Sequence, residues 1–206
     1  MNIDGYTRLA AVVAKPIKHS ISPFIHNLAF ENTGINGVYL AWEIAEEDLA
    51  VTMENVKRYD MFGLNISMPY KQAVIPYLDQ LTKSAQLIGA VNTIIPREGQ
   101  LIGHNTDGIG FFKSLDKLAG FQVQGKVMTV LGGGGAATAI IAQAALDGAA
   151  KIFVFSRSQS IERHTATAQK ISKETQVPIE VLPLEDSSLL QEKIFQSRLL
   201  VNGTSV

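Results

Sequence analysis

The sequence contains no cysteine, which excludes a disulfide framework and any mechanism that needs a thiolate nucleophile. The same absence suits a protein of the reducing cytoplasm. There are only four histidines, and none of them stands at the spacing of paired metal ligands. We therefore expect a cytoplasmic protein that holds no metal.

Net charge and long apolar runs are lacking as well. The 18 basic and 19 acidic residues give a formal net charge of −1, so no strong field attracts nucleic acid or an anionic membrane. No apolar run reaches the length of a membrane-spanning helix, and the first residues lack the basic and apolar segments of a signal peptide. We expect a partner that is a small molecule, no nucleic acid or membrane contact, and either a monomer or a homodimer.

The sequence does have enough apolar material, 46% of 206 residues, for one large domain or two small ones. Polar loops dominate the first half, and a regular alternation of strands and helices follows. This order predicts an α/β fold with an N-terminal α/β substrate domain over residues 1–105. A Rossmann-like dinucleotide-binding domain is expected over residues 106–206.

Periodicity and turn residues predict the individual elements. We expect strands over residues 10–14, 38–42, 61–67, 90–95, 100–103, 127–131, 151–155, 179–182 and 199–201. We expect helices over residues 23–32, 46–58, 70–88, 107–118, 136–148, 161–175 and 187–194. Ser22 is placed as the cap of the first helix, and Glu98 with Gly99 as the turn of a hairpin.

The most informative segment is a glycine-rich turn between an apolar strand and an alanine-rich helix. Such a turn brings backbone N–H groups and a helix N-terminus close to a bound pyrophosphate. In the pattern G-x-G-x-x-A, Gly132 makes the turn, Gly134 allows close approach and Ala137 allows tight packing. The turn therefore indicates dinucleotide binding, although four successive glycines also suit a merely flexible turn.

The next strand ends in Ser156, Arg157 and Ser158, where an NAD site usually carries an acidic residue. The planar guanidinium of Arg157 suits the 2′-phosphate of NADP, because it makes charge-assisted, bidentate bonds. The sequence thus favours NADP over NAD. The alternative is that Arg157 is an ordinary solvated surface residue.

Polar side chains also cluster where strands of the first half end, which is where ligands bind in open α/β sheets. They are Ser20, Ser22, Asn65, Ser67, Lys71, Asn92 and Asp107. Hydroxyls and amides fit a polyhydroxylated small molecule, and a lysine with an aspartate can move a proton. Taken singly, each has a plain structural interpretation as a helix cap, a turn former or a solvated lysine.

Taken together, these segments resemble the shikimate dehydrogenase family, motif by motif and in order along the whole chain. The segments are A-K-P-I-K-H-S-I-S-P-F-I-H-N (14–27), N-I-S-M-P-Y-K (65–71), G-A-V-N-T (89–93), G-H-N-T-D-G (103–108), G-G-G-G-A (132–136) and N-G-T-S-V (202–206).

The resemblance implies NADPH-dependent reduction of 3-dehydroshikimate to shikimate in aromatic amino-acid (chorismate) biosynthesis. It implies that Ser20 and Ser22 bind the substrate carboxylate, and that Lys71 is the acid/base with Asp107 beside it. Ring hydroxyls would be bound by Asn65, Ser67, Asn92 and Asp107. The NADP(H) site would comprise Gly132, Gly133, Gly134, Gly135, Ala136, Ser156, Arg157 and Thr204. A quinate/shikimate dehydrogenase using NAD or NADP, or a non-catalytic ligand-binding module, remain alternatives.

The chain departs from the family pattern at several places. Ser67 stands where the family usually has threonine, His104 replaces a common aspartate as a loop change, and Gly133 replaces alanine, which loosens the glycine turn slightly. The chain stops at Val206, inside the last motif, before further strands and C-terminal helices of the family. We therefore expect a truncated Rossmann-like domain with an exposed sheet edge, and low stability or activity unless another chain completes it.

Overall fold

A computed structural model describes residues 3–204, which form two compact units that divide between Asn105 and Thr106. The first unit contains β1 (Arg8–Ala14), α1 (Ser22–Thr33), β2 (Gly37–Glu43), α2 (Leu49–Arg58), β3 (Gly63–Ile66), α3 (Tyr70–Ala73), β4 (Gln80–Leu81), α4 (Lys83–Ile88), β5 (Thr93–Arg97) and β6 (Gln100–His104). The second contains α5 (Asp107–Ala119), β7 (Val127–Leu131), α6 (Gly135–Leu146), β8 (Lys151–Ser156), α7 (Ile161–Thr175), β9 (Ile179–Pro183), α8 (Ser187–Gln196) and β10 (Leu199–Asn202). Ser205 and Val206, which end the last motif, lie outside the described residues.

The first unit is built around β1, which lies inside a six-stranded mixed sheet of order β2-β1-β3-β5-β6-β4. Alternate residues of β1 enter two different cores. Ala11 and Val13 pack in the core that includes α2, whereas Val12 packs in a second core with Tyr39. Because both faces of the strand are buried, its sequence is a continuous apolar run rather than an alternating one.

The predicted hairpin is confirmed in β5 and β6, where Arg97 pairs with Gln100. Glu98 and Gly99 form the turn with φ angles of 52° and 77°. Positive φ at both central residues gives a type I′ turn, whose twist matches that of the two strands.

The helix predicted over residues 70–88 is wrong in its middle. The structure has the short helices α3 and α4, and between them β4 pairs in parallel with β6. Pro76 lies in a short 3-10 helix, Ile75–Tyr77, after which Leu78 is extended, and Thr82 starts α4 by accepting a bond from the Ala85 N–H. Ser22 is also not a cap, since it is the first residue of α1.

The second unit has a four-stranded parallel sheet of order β10-β7-β8-β9, as the strand–helix alternation predicts. Most residues of α6 are buried, which explains its small and apolar composition. β10 forms one edge of this sheet, and Leu200 on it is half exposed. Within residues 3–204, no helix combines the length and apolarity needed to cross a membrane.

Helix α5 packs closely on α6 because Gly108, its second residue, has no side chain. A Cβ at Gly108 would overlap the carbonyl oxygen of Ala139, whereas a Cβ at Gly110 would meet nothing within 4 Å. We expect Gly108→Ala to lower the free energy of unfolding by about 1–3 kcal/mol. The matched variant Gly110→Ala should raise it by up to about 1 kcal/mol. Urea denaturation measures both, and equal effects of the two variants would contradict this account of the packing.

Candidate functional site

The segments that follow β1 and β3 lie side by side in the first unit. The Lys15 N–H donates to the Met68 carbonyl at 3.1 Å, and the Ser67 N–H donates to the Val13 carbonyl at 2.9 Å. These bonds extend the pairing of the two parallel strands past their ends. The loop with the two predicted carboxylate-binding serines and the segment with the predicted acid/base lysine therefore start next to each other.

The two serines of the first loop are held by local hydrogen bonds. The Ser20 N–H donates to the Ile17 carbonyl at 2.9 Å, and the Ser20 hydroxyl accepts from the Ser22 N–H at 3.2 Å. Both residues are partly exposed immediately before or at the start of α1. This arrangement fixes the Ser20 hydroxyl just before the helix start, where an anionic group is favourably placed.

Lys71 and Asn92 are brought together by the backbone. The Val91 N–H donates to the Lys71 carbonyl at 2.8 Å, and the Ile66 N–H donates to the Asn92 carbonyl at 2.8 Å. Lys71 is partly exposed on α3, whereas Asn92 is buried. Asp107 is the first residue of α5 in the second unit, and it follows Thr106, the residue in the cap position.

A continuous hydrogen-bond network orients the amides of Asn65 and Asn92. The Asn65 Oδ1 accepts from the Tyr39 hydroxyl at 2.7 Å, and its Nδ2 donates to the Thr93 hydroxyl at 3.2 Å. The Thr93 hydroxyl in turn donates to the Asn92 Oδ1 at 2.9 Å. Because Tyr39 bonds the oxygen of the Asn65 amide, it determines which way round that amide lies.

Sequence reasoning missed Tyr39, which reads as one more core residue of an apolar strand. Its ring stacks on the His26 ring with centroids 4.2 Å apart, and Asn27 bonds both backbone groups of Tyr39. Burial raises the pKa of Tyr39 and lowers the pKa of His26. Both side chains are thus held neutral near pH 7, and the tyrosine keeps the proton that it donates to Asn65.

His104 is not a loop substitution, as the sequence suggested, because it is the last residue of β6. Its Nδ1 lies 2.9 Å from the Thr82 hydroxyl and 3.3 Å from the Ser84 hydroxyl. Burial lowers the pKa of His104, which favours the neutral ring. The residue therefore ties the start of α4 to the sheet.

In the second unit, the glycine turn has the geometry that the sequence predicts. Gly132 has a φ of +90°, and the Gly203 carbonyl oxygen lies 3.2 Å from where its Cβ would be. A Cβ at Gly134 or Gly135 would meet open space, which leaves room for a ligand to approach the N-terminus of α6. The expected loosening at Gly133 is corrected, since the ring of His164 fills the space beside that residue.

The turn faces a cavity of about 300 Å³, and most of the predicted cofactor-binding residues line it. The predicted residues that line it are Gly132, Gly133, Gly134, Ser156, Arg157 and Thr204. Gly135 and Ala136 instead form the first turn of α6 and are not among the lining residues. Arg163 lines the cavity as well; sequence reasoning missed it, although it is a second arginine shortly after Arg157.

An acidic residue does lie near Arg157, although the strand end itself has none. The Glu185 carboxylate accepts bonds from the Ser158 N–H at 3.0 Å and from the Ser158 hydroxyl at 2.9 Å. These bonds, with a smaller contribution from the charge of Arg157, lower the pKa of Glu185. Glu185 therefore holds the segment that presents Arg157.

The lining of this cavity suits the phosphates of a dinucleotide, including an additional one. The glycines leave space at a helix N-terminus for a pyrophosphate, and two guanidinium groups line the same cavity. Among the described residues, no cluster of histidine, aspartate or glutamate could hold a metal ion.

Known proteins place the chain in a family. Residues 12–94 match the profile described as the shikimate dehydrogenase substrate binding domain. The chain is 74% identical over all 206 residues to the shikimate dehydrogenase (NADP(+)) of Streptococcus suis and covers 71% of that protein. The chain belongs to the shikimate dehydrogenase family.

Solved structures of the shikimate dehydrogenase family share this fold. A shikimate 5-dehydrogenase from Listeria monocytogenes, in complex with shikimate and NAD, has a TM-score of 0.94 and 40% identity; the match covers 100% of this chain and 71% of that one. The enzyme from Thermus thermophilus, in complex with NADP(H) and shikimate, has a TM-score of 0.76 and 35% identity, covering 96% of this chain and 68% of that one. The α/β fold with a Rossmann-like second unit is therefore shown.

Proposed function

We propose that this protein catalyses the reversible, NADP-linked reduction of 3-dehydroshikimate to shikimate in aromatic amino-acid biosynthesis. The observation that carries the proposal is the 74% identity with the Streptococcus suis enzyme, which extends over the whole chain. Two features of the structure support the proposal: polar groups lie close together in the first unit, and the second unit has a cavity suited to a dinucleotide. The cytoplasm is the proposed location, because a chain without cysteine suits a reducing compartment.

Lys71 acts as the acid/base in this proposal. As the ketone of the substrate is reduced, negative charge develops on its oxygen. The ammonium group of Lys71 stabilises this charge by a hydrogen bond and donates the proton that completes the hydroxyl group. In the reverse direction, the amine of Lys71 accepts that proton. Asp107 is proposed as the second member of this acid/base pair.

The remaining polar residues assigned to the site bind the substrate. Ser20 and Ser22 present two hydroxyls to the carboxylate, next to the start of α1. The ring hydroxyls bind to Ser67 and Asp107 and to the two network amides of Asn65 and Asn92. Because the two amides are fixed by one hydrogen-bond network, they are pre-organised for a single arrangement of hydroxyls.

The second unit holds the cofactor. NADPH supplies the hydride when it is bound. Gly132 and Gly133 make the turn, Gly134 and Gly135 leave space for the pyrophosphate, and Gly135 and Ala136 offer backbone N–H groups at the start of α6. Arg157 binds the 2′-phosphate and Ser156 fixes the strand end beneath it. Thr204, held by bonds to the Asn202 Oδ1, lines the same cavity beside Gly132.

The proposal is tested by mixing the protein with shikimate or quinate and with NADP or NAD, in four parallel reactions. Growth of the reduced-nicotinamide absorbance is expected with shikimate and NADP. The Streptococcus suis relative serves as the positive control in the same assay. Reaction with quinate but not shikimate would refute the proposed substrate, and tight shikimate binding by calorimetry without any reduction would favour a non-catalytic binding module.

Tyr39→Phe tests the amide network. The change removes only the hydroxyl that donates to the Asn65 Oδ1, so the amide keeps the bonds of its Nδ2 but loses the one that fixes its oxygen. We expect the KM for shikimate to rise by about 3- to 10-fold, equivalent to one lost hydrogen bond, with little change in kcat. Tyr59→Phe, at an exposed tyrosine of the same unit, is the matched control. An unchanged KM in Tyr39→Phe would show that Asn65 keeps its orientation without this bond.

A further inference from the structure

The ring of His164 occupies the space beside Gly133 that a side chain would need. A Cβ built on Gly133 would lie 2.5 Å from the Cγ and Nδ1 atoms of His164. No heavy atom can approach a ring this closely, so a methyl group at position 133 would displace either the glycine turn or the imidazole. The family alanine that Gly133 replaces is therefore incompatible with His164 in its present position.

The hydrogen bonds of His164 define its protonation state. Its Nε2 lies 3.2 Å from an Arg163 guanidinium nitrogen, which can only donate, so Nε2 is the acceptor. The Nδ1–H then donates to the Ser156 hydroxyl at 2.7 Å, and that hydroxyl donates to the Arg157 carbonyl at 3.3 Å. The imidazole is thus neutral with its proton on Nδ1, in agreement with a pKa lowered by burial and by the charge of Arg163.

These contacts join three parts of the cofactor cavity at one side chain. The ring packs beneath the glycine turn, one nitrogen bonds the buried end of β8, and the other bonds Arg163, which lines the cavity. An arginine side chain loses rotamer entropy when its guanidinium binds a phosphate. Because the His164 Nε2 already holds the Arg163 guanidinium, less entropy remains to be lost on binding.

We propose that His164 is a positioning residue for NADP: it aims the Arg163 guanidinium at the 2′-phosphate, and it requires glycine at position 133. This inference rests on the proposed NADP site. In this proposal, Arg163 contributes to the discrimination between NADP and NAD. His164 acts through Arg163 and does not touch the reacting atoms of either cofactor.

The first test compares the dissociation constants of NADP+ and NAD+ by calorimetry in three variants. His164→Gln can place its amide oxygen near the position of Nε2 and keep the bond to Arg163, whereas His164→Asn and His164→Ala cannot. We expect NADP+ to bind about tenfold more weakly to the Asn and Ala variants, and within about twofold of the parent to the Gln variant. NAD+, which lacks the 2′-phosphate, should change by less than about twofold in all three. Equal losses for both cofactors would mean that His164 acts by packing alone and would overturn the role assigned to Arg163.

The second test is a double variant. Gly133→Ala in the parent should weaken NADP+ and NAD+ binding alike, by about tenfold, because the methyl group displaces the turn. In Gly133→Ala/His164→Ala the methyl group has space, so NAD+ affinity should return to that of the parent while NADP+ affinity stays at that of His164→Ala. If the double variant binds NAD+ as weakly as Gly133→Ala does, the steric part of the proposal is wrong.

Two controls separate this inference from the proposed function. The parent chain is titrated first, and a parent that binds NADP+ no more tightly than NAD+ refutes the proposed cofactor itself. A parent that prefers NADP+, with a His164→Ala variant that prefers it equally, refutes only the inference. His19→Ala, at an exposed histidine of the first unit, and thermal midpoints of all variants exclude loss of folding as the cause.

Discussion

Replacing Lys71 with alanine is expected to lower kcat for shikimate oxidation by about 10²- to 10⁴-fold, the usual contribution of a positioned general acid or base. The loss arises because a methyl group can neither stabilise the developing alkoxide nor donate a proton to it. The KM for shikimate should change only a few-fold, since at least five other polar residues are assigned to the substrate. Steady-state absorbance assays of the parent and the variant give both constants.

Two further lysine variants make the Lys71 result interpretable. Lys117→Ala, at an exposed lysine in the last turn of α5, should leave both constants unchanged. Lys71→Arg keeps the positive charge but is a poor proton donor, because the arginine pKa lies above about 12. If Lys71→Arg is nearly fully active, charge rather than proton transfer is the main contribution. If Lys71→Ala weakens binding and leaves kcat intact, Lys71 is a binding residue and the assigned mechanism is wrong.

Arg157→Ala is expected to raise the KM for NADP by about 10- to 100-fold, as a lost charge-assisted pair with a phosphate predicts. The KM for NAD should change little, because its ribose has no phosphate for this residue to bind. Kinetics with each cofactor at saturating shikimate measure the two effects. The ratio of the KM for NAD to the KM for NADP would then fall after one substitution outside the glycine turn.

Matched arginine variants test the interpretation. Arg157→Lys retains the charge without the bidentate fork, so its KM for NADP should fall between those of the parent and Arg157→Ala. Arg198→Ala, at another exposed arginine of the same unit, should behave like the parent. Equal effects of Arg157→Ala on NADP and NAD would remove the 2′-phosphate role and make Arg157 an ordinary surface residue.

Features set by local chemistry were predictable from the sequence. The glycine turn after β7 follows from four glycines between a β-branched run and a helix former, and the hairpin turn follows from Glu98 and Gly99. Both depend on the backbone preferences of a few adjacent residues. The parallel sheet of the second unit follows in the same way, since strands separated by helix-length segments pair in parallel.

Features that depend on distant pairs were not predictable. Glu185 reaches Ser158 from 27 residues further along the chain, and no periodic pattern marks that contact. Tyr39 reads as a core residue, and only the position of Asn65 on a neighbouring element reveals the use of its hydroxyl. β4 has only two residues, and it forms because the edge of β6 is open to pairing. The β-propensity of its own residues does not predict such a strand.

The glycine turn also has a consequence for the order in which the protein is made. β7 lies inside its sheet, between β8 and β10, and β10 is the last of the four strands along the chain. The backbone that packs against Gly132 belongs to Gly203. During translation, the ribosome therefore completes the turn, its helix and three of the strands while one side of the turn has no neighbour. The cavity beside the glycine turn therefore stays incomplete until the stretch around Gly203 has been made, some seventy residues after the glycines themselves.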